Sequence, residues 1–132
     1  MNRLPESAVV ISAEDLQWAR AEGPAAGKRA VELLEERLGC GPAELMARLS
    51  STLRLPILTL EDLRGGTPAF ELISYADAAR RCCLAVRAAD GELSVVLGDP
   101  FDLDTQDWIE EWLRVPFGYR IAHRVELAGS IQ

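Results

Sequence analysis

The first half of the chain, to about residue 54, carries apolar residues at helical spacing. Between about Gly27 and Leu38 the apolar residues form one stripe along a helix, which predicts a helix over this segment. The residues of the stripe are Ala30, Val31, Leu33, Leu34 and Leu38. Gly39 follows at a position where glycine commonly ends a helix.

Two more helices are predicted on either side of this segment. Ser12 is a typical N-cap, and the acidic residues that follow it suit the positive end of a helix. This helix should end near residue 21, because Gly23 and Pro24 interrupt it. A third helix begins at Pro42, where proline is tolerated in a first turn, and ends before Pro56.

The second half changes to strand-like patterns. The segments "CCLAVRA" (82–88) and "LSVVLG" (93–98) are separated by a turn containing Asp90-Gly91, which predicts a β-hairpin. The segment "GYRIAH" (118–123) is predicted as another strand, and "ILTL" (57–60) as a short one.

Helix signals lie between these strands. Ser74 caps a short helix, and Asp104 or Thr105 is expected to cap a longer one. Residues 124–131 form a last short helix, and residues 61–69 are the expected connecting loop.

These elements predict an α+β fold. A helical N-terminal half of about three helices packs with a small mixed α/β C-terminal subdomain that contains the β-hairpin. We place the boundary between residues 1–56 and 57–132. A chain of 132 residues suits one compact domain that contains both parts.

Charge and hydropathy narrow the classes of function. The net charge is −7, and one lysine and 13 arginines are scattered among 21 acidic residues. Nucleic-acid binding is not expected, because it requires clustered basic residues. No apolar run is long enough to insert into a membrane, and the N-terminal residues 1–12 have no apolar core of a secretory signal, so we expect a cytoplasmic chain.

No cofactor, metal or catalytic site is predicted. Asp102-x-Asp104-x-Gln106 resembles the start of a calcium loop, but the required glycine is replaced by Asp107 and the closing acid by Leu113. The acidic residues suit a helix N-terminus, and an acidic docking surface is the alternative. The three cysteines (Cys40, Cys82 and Cys83) and the one histidine (His123) do not have the spacing of a zinc site.

The segment from Gly23 to Lys28 is close to a phosphate-binding loop but departs from it. Only three residues separate Gly23 from Gly27, and Arg29 stands where the loop requires Ser or Thr. We expect a turn between two helices. Trp108 and Trp112 lie one helical turn apart, so one should face the core and the other is free to contact a partner.

An ordered series of segments resembles the N-terminal domain of type II secretion and type IV pilus assembly ATPases. The series comprises "ISAEDLQWA", "GKRAVELLEERLG", "PAELMARLSSTLRLPILTL" and "DGELSVVLGDPFDLDTQDWIEEWL", which together with the following strand and helix cover about residues 9 to 131. The strand ending in Gly98-Asp99-Pro100, followed by Phe101-Asp102, matches a typical feature of that family. Arg54 stands where the family has glycine.

Some members of this family bind cyclic di-GMP through two tandem copies of a motif. The motif consists of Arg-Leu-Gly, a later Gly, spaced leucines and a final Gln. The resemblance places Arg29 at the arginine and Leu34, Leu45 and Leu49 at the leucines. Val31, Leu38 and Thr52 replace the two glycines and the Gln, and the earlier copy, near the first residue, is not recognisable.

The resemblance implies a non-catalytic docking and regulatory domain. Such domains contact the cytoplasmic part of an inner-membrane assembly protein, and the ATPase domain lies elsewhere in the full-length protein. The alternatives are a cyclic di-GMP sensor, the same domain type attached to a membrane glycosyltransferase, and a small enzyme, for which no set of residues is apparent.

Overall fold

A computed structural model describes residues 10–131 of the chain. Contacts between Cα atoms divide the chain into two units, one ending at Leu55 and the other beginning at Pro56. The predicted α+β class is confirmed, since helices make up the first unit and the second contains a four-stranded sheet with a hairpin. None of the helices within residues 10–131 has the length and hydropathy that crossing a bilayer requires.

The first unit contains helices α1 (Ala13–Ala26), α2 (Ala30–Leu38) and α3 (Pro42–Leu53). Three of the predicted ends are confirmed. The Ser12 hydroxyl accepts from the Asp15 N–H at 3.1 Å, Gly39 ends α2 in the left-handed region, and proline occupies the first turn of α3.

The prediction that Gly23-Pro24 ends the first helix is wrong, because α1 continues to Ala26. A proline disfavours helical angles at the preceding residue by clashing with the backbone N–H and the Cβ of that residue. Gly23 has no Cβ, and an added one would lie 3.0 Å from the carbonyl oxygen of Lys28. Gly27 ends the helix instead, with φ 68° and its N–H bonded to the Gly23 carbonyl, so α2 begins at Ala30 and not near Gly27.

Apolar side chains from all three helices are buried in this unit, and α1 packs against α2. The buried residues are Ala19, Val31, Leu33, Leu34, Leu45, Met46 and Leu49. They lie at the spacing that predicted the helical stripes, which is why the pattern identified these helices.

The second unit contains four helices and four strands among its described residues. In chain order they are α4 (Leu60–Gly65), β1 (Thr67–Pro68), α5 (Tyr75–Arg81), β2 (Cys83–Arg87), β3 (Leu93–Leu97), α6 (Leu103–Trp112), β4 (Gly118–Ile121) and α7 (Arg124–Ile131).

The sheet has the strand order β1-β2-β3-β4. β2 and β3 form the predicted antiparallel hairpin, with Cys83 opposite Leu97 and Arg87 opposite Leu93. β4 pairs with β3 in parallel, and α6 provides the crossover that a parallel pair needs. Residues 83–86 and 93–97 are all buried, so the two central strands are covered on both faces and show no alternation of polar and apolar residues.

Two predictions at the start of this unit are wrong. Of the "ILTL" segment only Ile57 pairs with a strand, through an isolated bridge to Ile121, and the expected loop begins with helix α4. A capping box starts α4, since the Thr59 side chain accepts from the Asp62 N–H and the Asp62 carboxylate accepts from the Thr59 N–H.

The expected cap of the long helix was also placed wrongly. Asp102, and not Asp104 or Thr105, is the N-cap of α6. Its carboxylate accepts from both the backbone N–H and the hydroxyl of Thr105, at 3.1 and 2.8 Å. The helix therefore begins two residues earlier than a cap at Asp104 would place it.

Candidate functional site

Arg29 lies at the N-terminus of α2, where the backbone is extended. Its carbonyl oxygen accepts from the N–H groups of Glu32 and Leu33, at 3.0 and 3.2 Å, and no side chain caps the helix. The side chain is half-buried. A guanidinium at this end of a helix adds to the positive electrostatic potential of the helix dipole, which favours an anion.

The leucines that the resemblance assigned to nucleotide binding have a different environment. Leu34, Leu45 and Leu49 each have 0% of their surface exposed, and Val31 has 1%. In this conformation their side chains are part of the buried interior, so among the four motif residues only Arg29 is accessible.

Thr52 stands where the nucleotide-binding motif has its Gln, and its hydroxyl makes two hydrogen bonds. It donates to the carbonyl oxygen of Arg48 at 2.7 Å and accepts from the backbone N–H of Ile11 at 2.8 Å. The residue therefore joins the segment before α1 to the last turn of α3.

The segment from Gly23 to Lys28 closes α1 and connects it to α2. The Lys28 ammonium lies 2.8 Å from the Glu36 carboxylate, and this hydrogen-bonded ion pair raises the pKa of Lys28. The cation that suggested a phosphate loop is thus directed at a carboxylate of the next helix.

The Gly98–Asp102 segment, which carried the family resemblance, connects β3 to α6. Gly98 lies against Cys82 and Leu127, and an added Cβ would approach the Cys82 sulfur to 2.4 Å. The Asp99 carboxylate accepts from the Phe101 N–H at 3.1 Å, which stabilises the turn. The close packing at Gly98 and the turn at Asp99 therefore determine how the chain passes from β3 to α6.

An open cleft with a volume of about 370 Å³ lies beside α4, the β2–β3 turn and β4. We call it the acidic cleft, because its charged lining residues are four carboxylates and one guanidinium. These residues are Glu61, Asp62, Asp90, Glu92 and Arg120.

Some of these carboxylates accept hydrogen bonds from backbone N–H groups, and one forms an ion pair with the arginine. Asp62 belongs to the capping box of α4, and Asp90 accepts from the Glu92 N–H at 2.9 Å. Glu92 lies 3.8 Å from Arg120, which is a loose ion pair. One cation therefore faces several carboxylates in the described part of the cleft.

A second surface feature is formed by Trp108 and Trp112 on α6, which we call the aromatic surface. The two indole rings are nearly parallel, 7° apart, with centroids separated by 6.1 Å. The guanidinium carbon of Arg81 lies 4.2 Å from the centre of the Trp108 ring. Trp108 packs against the core while Trp112 is 60% exposed, which confirms the expectation that one of the two faces the core.

Charged groups of both signs line the aromatic surface. Glu110, Glu111 and Arg114 line the same depression as the two tryptophans. The Tyr119 hydroxyl donates to the Glu110 carboxylate at 3.0 Å, and burial together with this hydrogen bond raises the pKa of Tyr119. This fixes the position of one carboxylate next to the indoles.

His123, another candidate for chemistry, makes a hydrogen bond within the fold. His123 is buried, and its Nδ1 accepts from the Val125 N–H at 3.2 Å. Within residues 10–131, no three or more His, Cys, Asp or Glu side chains are grouped so that they could hold a metal ion.

Sequence reasoning anticipated an exposed tryptophan but missed the acidic cleft. The residues of the cleft come from three separate segments, near positions 61, 90 and 120, and one of these was expected to be a loop. The only local signal was the Thr59-x-x-Asp62 capping box.

Fold and surface together define a small α+β domain. A family model described as the MshEN domain matches residues 53–132, so the chain belongs to this family. Among solved structures, the chain is similar to MshE with cdg (cyclic di-GMP), with a TM-score of 0.63 and 23% identity over 96% of this chain and 91% of that one. The resemblance to the N-terminal domains of secretion ATPases is thereby confirmed. No curated protein matches the chain.

Proposed function

We propose that the chain is a non-catalytic docking and regulatory domain of a type II secretion or type IV pilus assembly ATPase. It contacts the cytoplasmic part of an inner-membrane assembly protein, and the ATPase domain belongs to the same full-length protein. Membership of the MshEN family supports the class of protein. The aromatic surface is the observation that carries the docking function.

Trp112 has the properties of an interface anchor. Its side chain is 60% exposed, yet its indole N–H is bonded to the Leu72 carbonyl and its ring is stacked on Trp108. Tryptophans are enriched among residues that dominate binding energy at interfaces, and an immobilised side chain loses little entropy on binding.

The surrounding charges indicate the chemistry of the partner. Glu110, Glu111 and Arg114 flank the tryptophans, so a partner with an apolar patch and mainly basic groups at its rim complements this surface. The net charge of −7 favours association with such a partner.

Calorimetric titration of the chain with the purified cytoplasmic part of the assembly protein tests this proposal. We expect micromolar binding that Trp112→Ala weakens by at least tenfold. Val125→Ala, which shortens another exposed apolar side chain on α7, is the control and should bind like the wild type. Absence of binding, or equal losses in both variants, would contradict docking through the aromatic surface.

A second candidate function is cyclic di-GMP binding. It is favoured by the similarity to MshE with cdg across 96% of the chain and by the position of Arg29 at an uncapped helix N-terminus. The buried leucines and Val31, which replaces a glycine of the motif, are less favourable.

Thermal melting separates the two candidates. The docking function predicts no change in melting temperature with cyclic di-GMP, ATP or GTP. A rise with cyclic di-GMP alone that disappears in Arg29→Ala and persists in the control Arg20→Ala would establish the sensing function.

A further inference from the structure

Arg81, the last residue of α5, is only partly satisfied by hydrogen bonds. Its Nε atom is buried and has no acceptor within residues 10–131. Its Nη1 atom donates to the Thr105 hydroxyl at 3.3 Å, which is a long hydrogen bond. The guanidinium lies over the Trp108 ring, with its carbon 4.2 Å from the ring centre. Because a buried N–H without an acceptor is unfavourable, a contribution to stability does not by itself account for an arginine at this position.

The two ends of α5 contact the tryptophans at different points along α6. At the end of α5, Arg81 meets Trp108 and also Thr105, which lies one turn before it. Before the start of α5, the Leu72 carbonyl accepts from the indole of Trp112, one turn after Trp108. The Trp108 and Trp112 rings are stacked within 7° of parallel, so a movement of one ring disturbs the other. The orientation of Trp112 therefore depends on contacts at both ends of α5.

We propose that Arg81 is a positioning residue of the aromatic surface. Its guanidinium holds the Trp108 ring through a cation–π interaction, and the stacked Trp108 ring in turn holds Trp112 in the orientation that a partner meets. This inference rests on the proposed docking function for its biological role. The order of the Trp112 ring, however, can be measured without any partner, so the two can fail separately.

Hydrogen exchange of the Trp112 indole N–H with water measures how often its bond to Leu72 opens. The comparison is between the wild type and Arg81→Met, which keeps an unbranched apolar stem and removes the cation. We expect about two- to fivefold faster exchange in this variant, the effect of losing one cation–π interaction. The control is Arg80→Met, which removes the same charge from a side chain that is 66% exposed and should exchange like the wild type.

Urea unfolding separates positioning from a general structural role. Arg81→Met also removes the buried N–H that lacks an acceptor, which offsets the lost cation–π interaction, so its urea midpoint should stay close to that of the wild type. Faster exchange of the Trp112 indole N–H at unchanged global stability is the expected result. Unchanged exchange, an equal increase in Arg80→Met, or an increase matched by an equal loss of global stability would overturn the proposal.

Titration with the cytoplasmic part of the assembly protein tests the consequence for docking. Arg81→Met alone should weaken binding by about two- to fivefold. Combined with Trp112→Ala it should have no further effect, because it acts through the Trp112 ring. An equal loss in both backgrounds would mean that Arg81 contacts the partner directly, and would overturn the positioning role. If the wild type does not bind, the docking function fails, and the exchange measurement still decides the role of Arg81.

Discussion

The indole N–H of Trp112 donates to the carbonyl oxygen of Leu72 at 2.7 Å, across forty positions of sequence. This bond joins the exposed end of α6 to the segment before α5. Because Trp112 is also stacked on Trp108, the exposed ring has a defined orientation before any partner arrives. An ordered aromatic side chain of this kind is suited to recognition.

Replacing Trp112 with phenylalanine separates the contributions of ring and hydrogen bond. Trp112→Phe keeps an aromatic ring but removes the N–H donor, and we expect binding of the assembly protein to weaken by about three- to tenfold, as one hydrogen bond accounts for about 1 kcal/mol. Trp112→Ala should weaken it further. Calorimetric titration measures both, and equal affinities for the wild type and Trp112→Phe would show that the hydrogen bond does not prepare the surface.

Gly65 and Gly66 are adjacent but should respond in opposite ways to alanine. An added Cβ at Gly65 meets no heavy atom within 4 Å, so Gly65→Ala should stabilise the end of α4 by about 0.5–1 kcal/mol. At Gly66 the same group would lie 2.5 Å from Val86 Cγ1 and 3.2 Å from the Arg87 carbonyl, so Gly66→Ala should destabilise by about 1–3 kcal/mol. Urea unfolding measures both free energies, and similar values for the two variants would show that the contact of Gly66 with β2 is not present in solution.

Stability should fall in alkaline solution because of Cys83. Burial, with a smaller contribution from Cys82, raises the pKa of the Cys83 thiol to about 12 from an ordinary value of 9.0. Between these two values the unfolded chain loses this proton and the native chain keeps it. The stabilisation is therefore complete below about pH 9 and is lost as the pH rises towards 12, by about 1.4 kcal/mol per pH unit.

The control for this effect is Cys83→Ala, because Tyr119 also has a raised pKa and contributes to the same pH range. Urea unfolding of both proteins between pH 7.5 and pH 10.5 should give a shallower loss for the variant, at about the slope of one ionising group. Parallel curves would indicate that the Cys83 thiol is accessible to solvent.

Thr52 should contribute to stability through its hydroxyl. Thr52→Val keeps the shape but leaves the Ile11 N–H without its bond, so we expect a loss of about 1–2 kcal/mol. Thr52→Ser keeps the hydroxyl and should lose less. Urea unfolding tests this, and a larger loss in Thr52→Ser than in Thr52→Val would assign the effect to the methyl group instead.

The elements that could be predicted from the sequence are those whose signals are local. The hairpin follows from two apolar runs around Asp90-Gly91, and the ends of α2 and α3 follow from Gly39 and Pro42. In each case the residues that determine the structure are neighbours along the chain.

The predictions that were wrong concern segments in which the effect of a residue depends on its surroundings. Pro24 alone indicates a break, but the preceding Gly23 has no Cβ and so relieves part of the clash that would cause it. The helix α4 is only six residues long, so its apolar pattern is too short to be distinguished from a strand or loop.

The two surface features differ in the same way, since one has a local signal in the sequence and the other does not. The spacing of Trp108 and Trp112 along one helix was sufficient to expect an exposed tryptophan. The acidic cleft, in contrast, exists only because the sheet brings Glu92 and Arg120 close together and α4 adds Glu61. These are long-range relationships that depend on strand pairing.

The indole N–H signals of the three tryptophans provide the most direct test of the docking function. Trp18 lies in the first unit, beneath the Arg37 guanidinium, whereas Trp108 and Trp112 lie in the second. When the ¹⁵N-labelled chain is titrated with the cytoplasmic part of the assembly protein, the Trp112 signal should move or broaden at micromolar concentrations while the Trp18 signal stays unchanged. If all three signals stay in place with the assembly protein, and Trp18 alone responds to cyclic di-GMP, the chain is a nucleotide sensor and docking through the aromatic surface is contradicted.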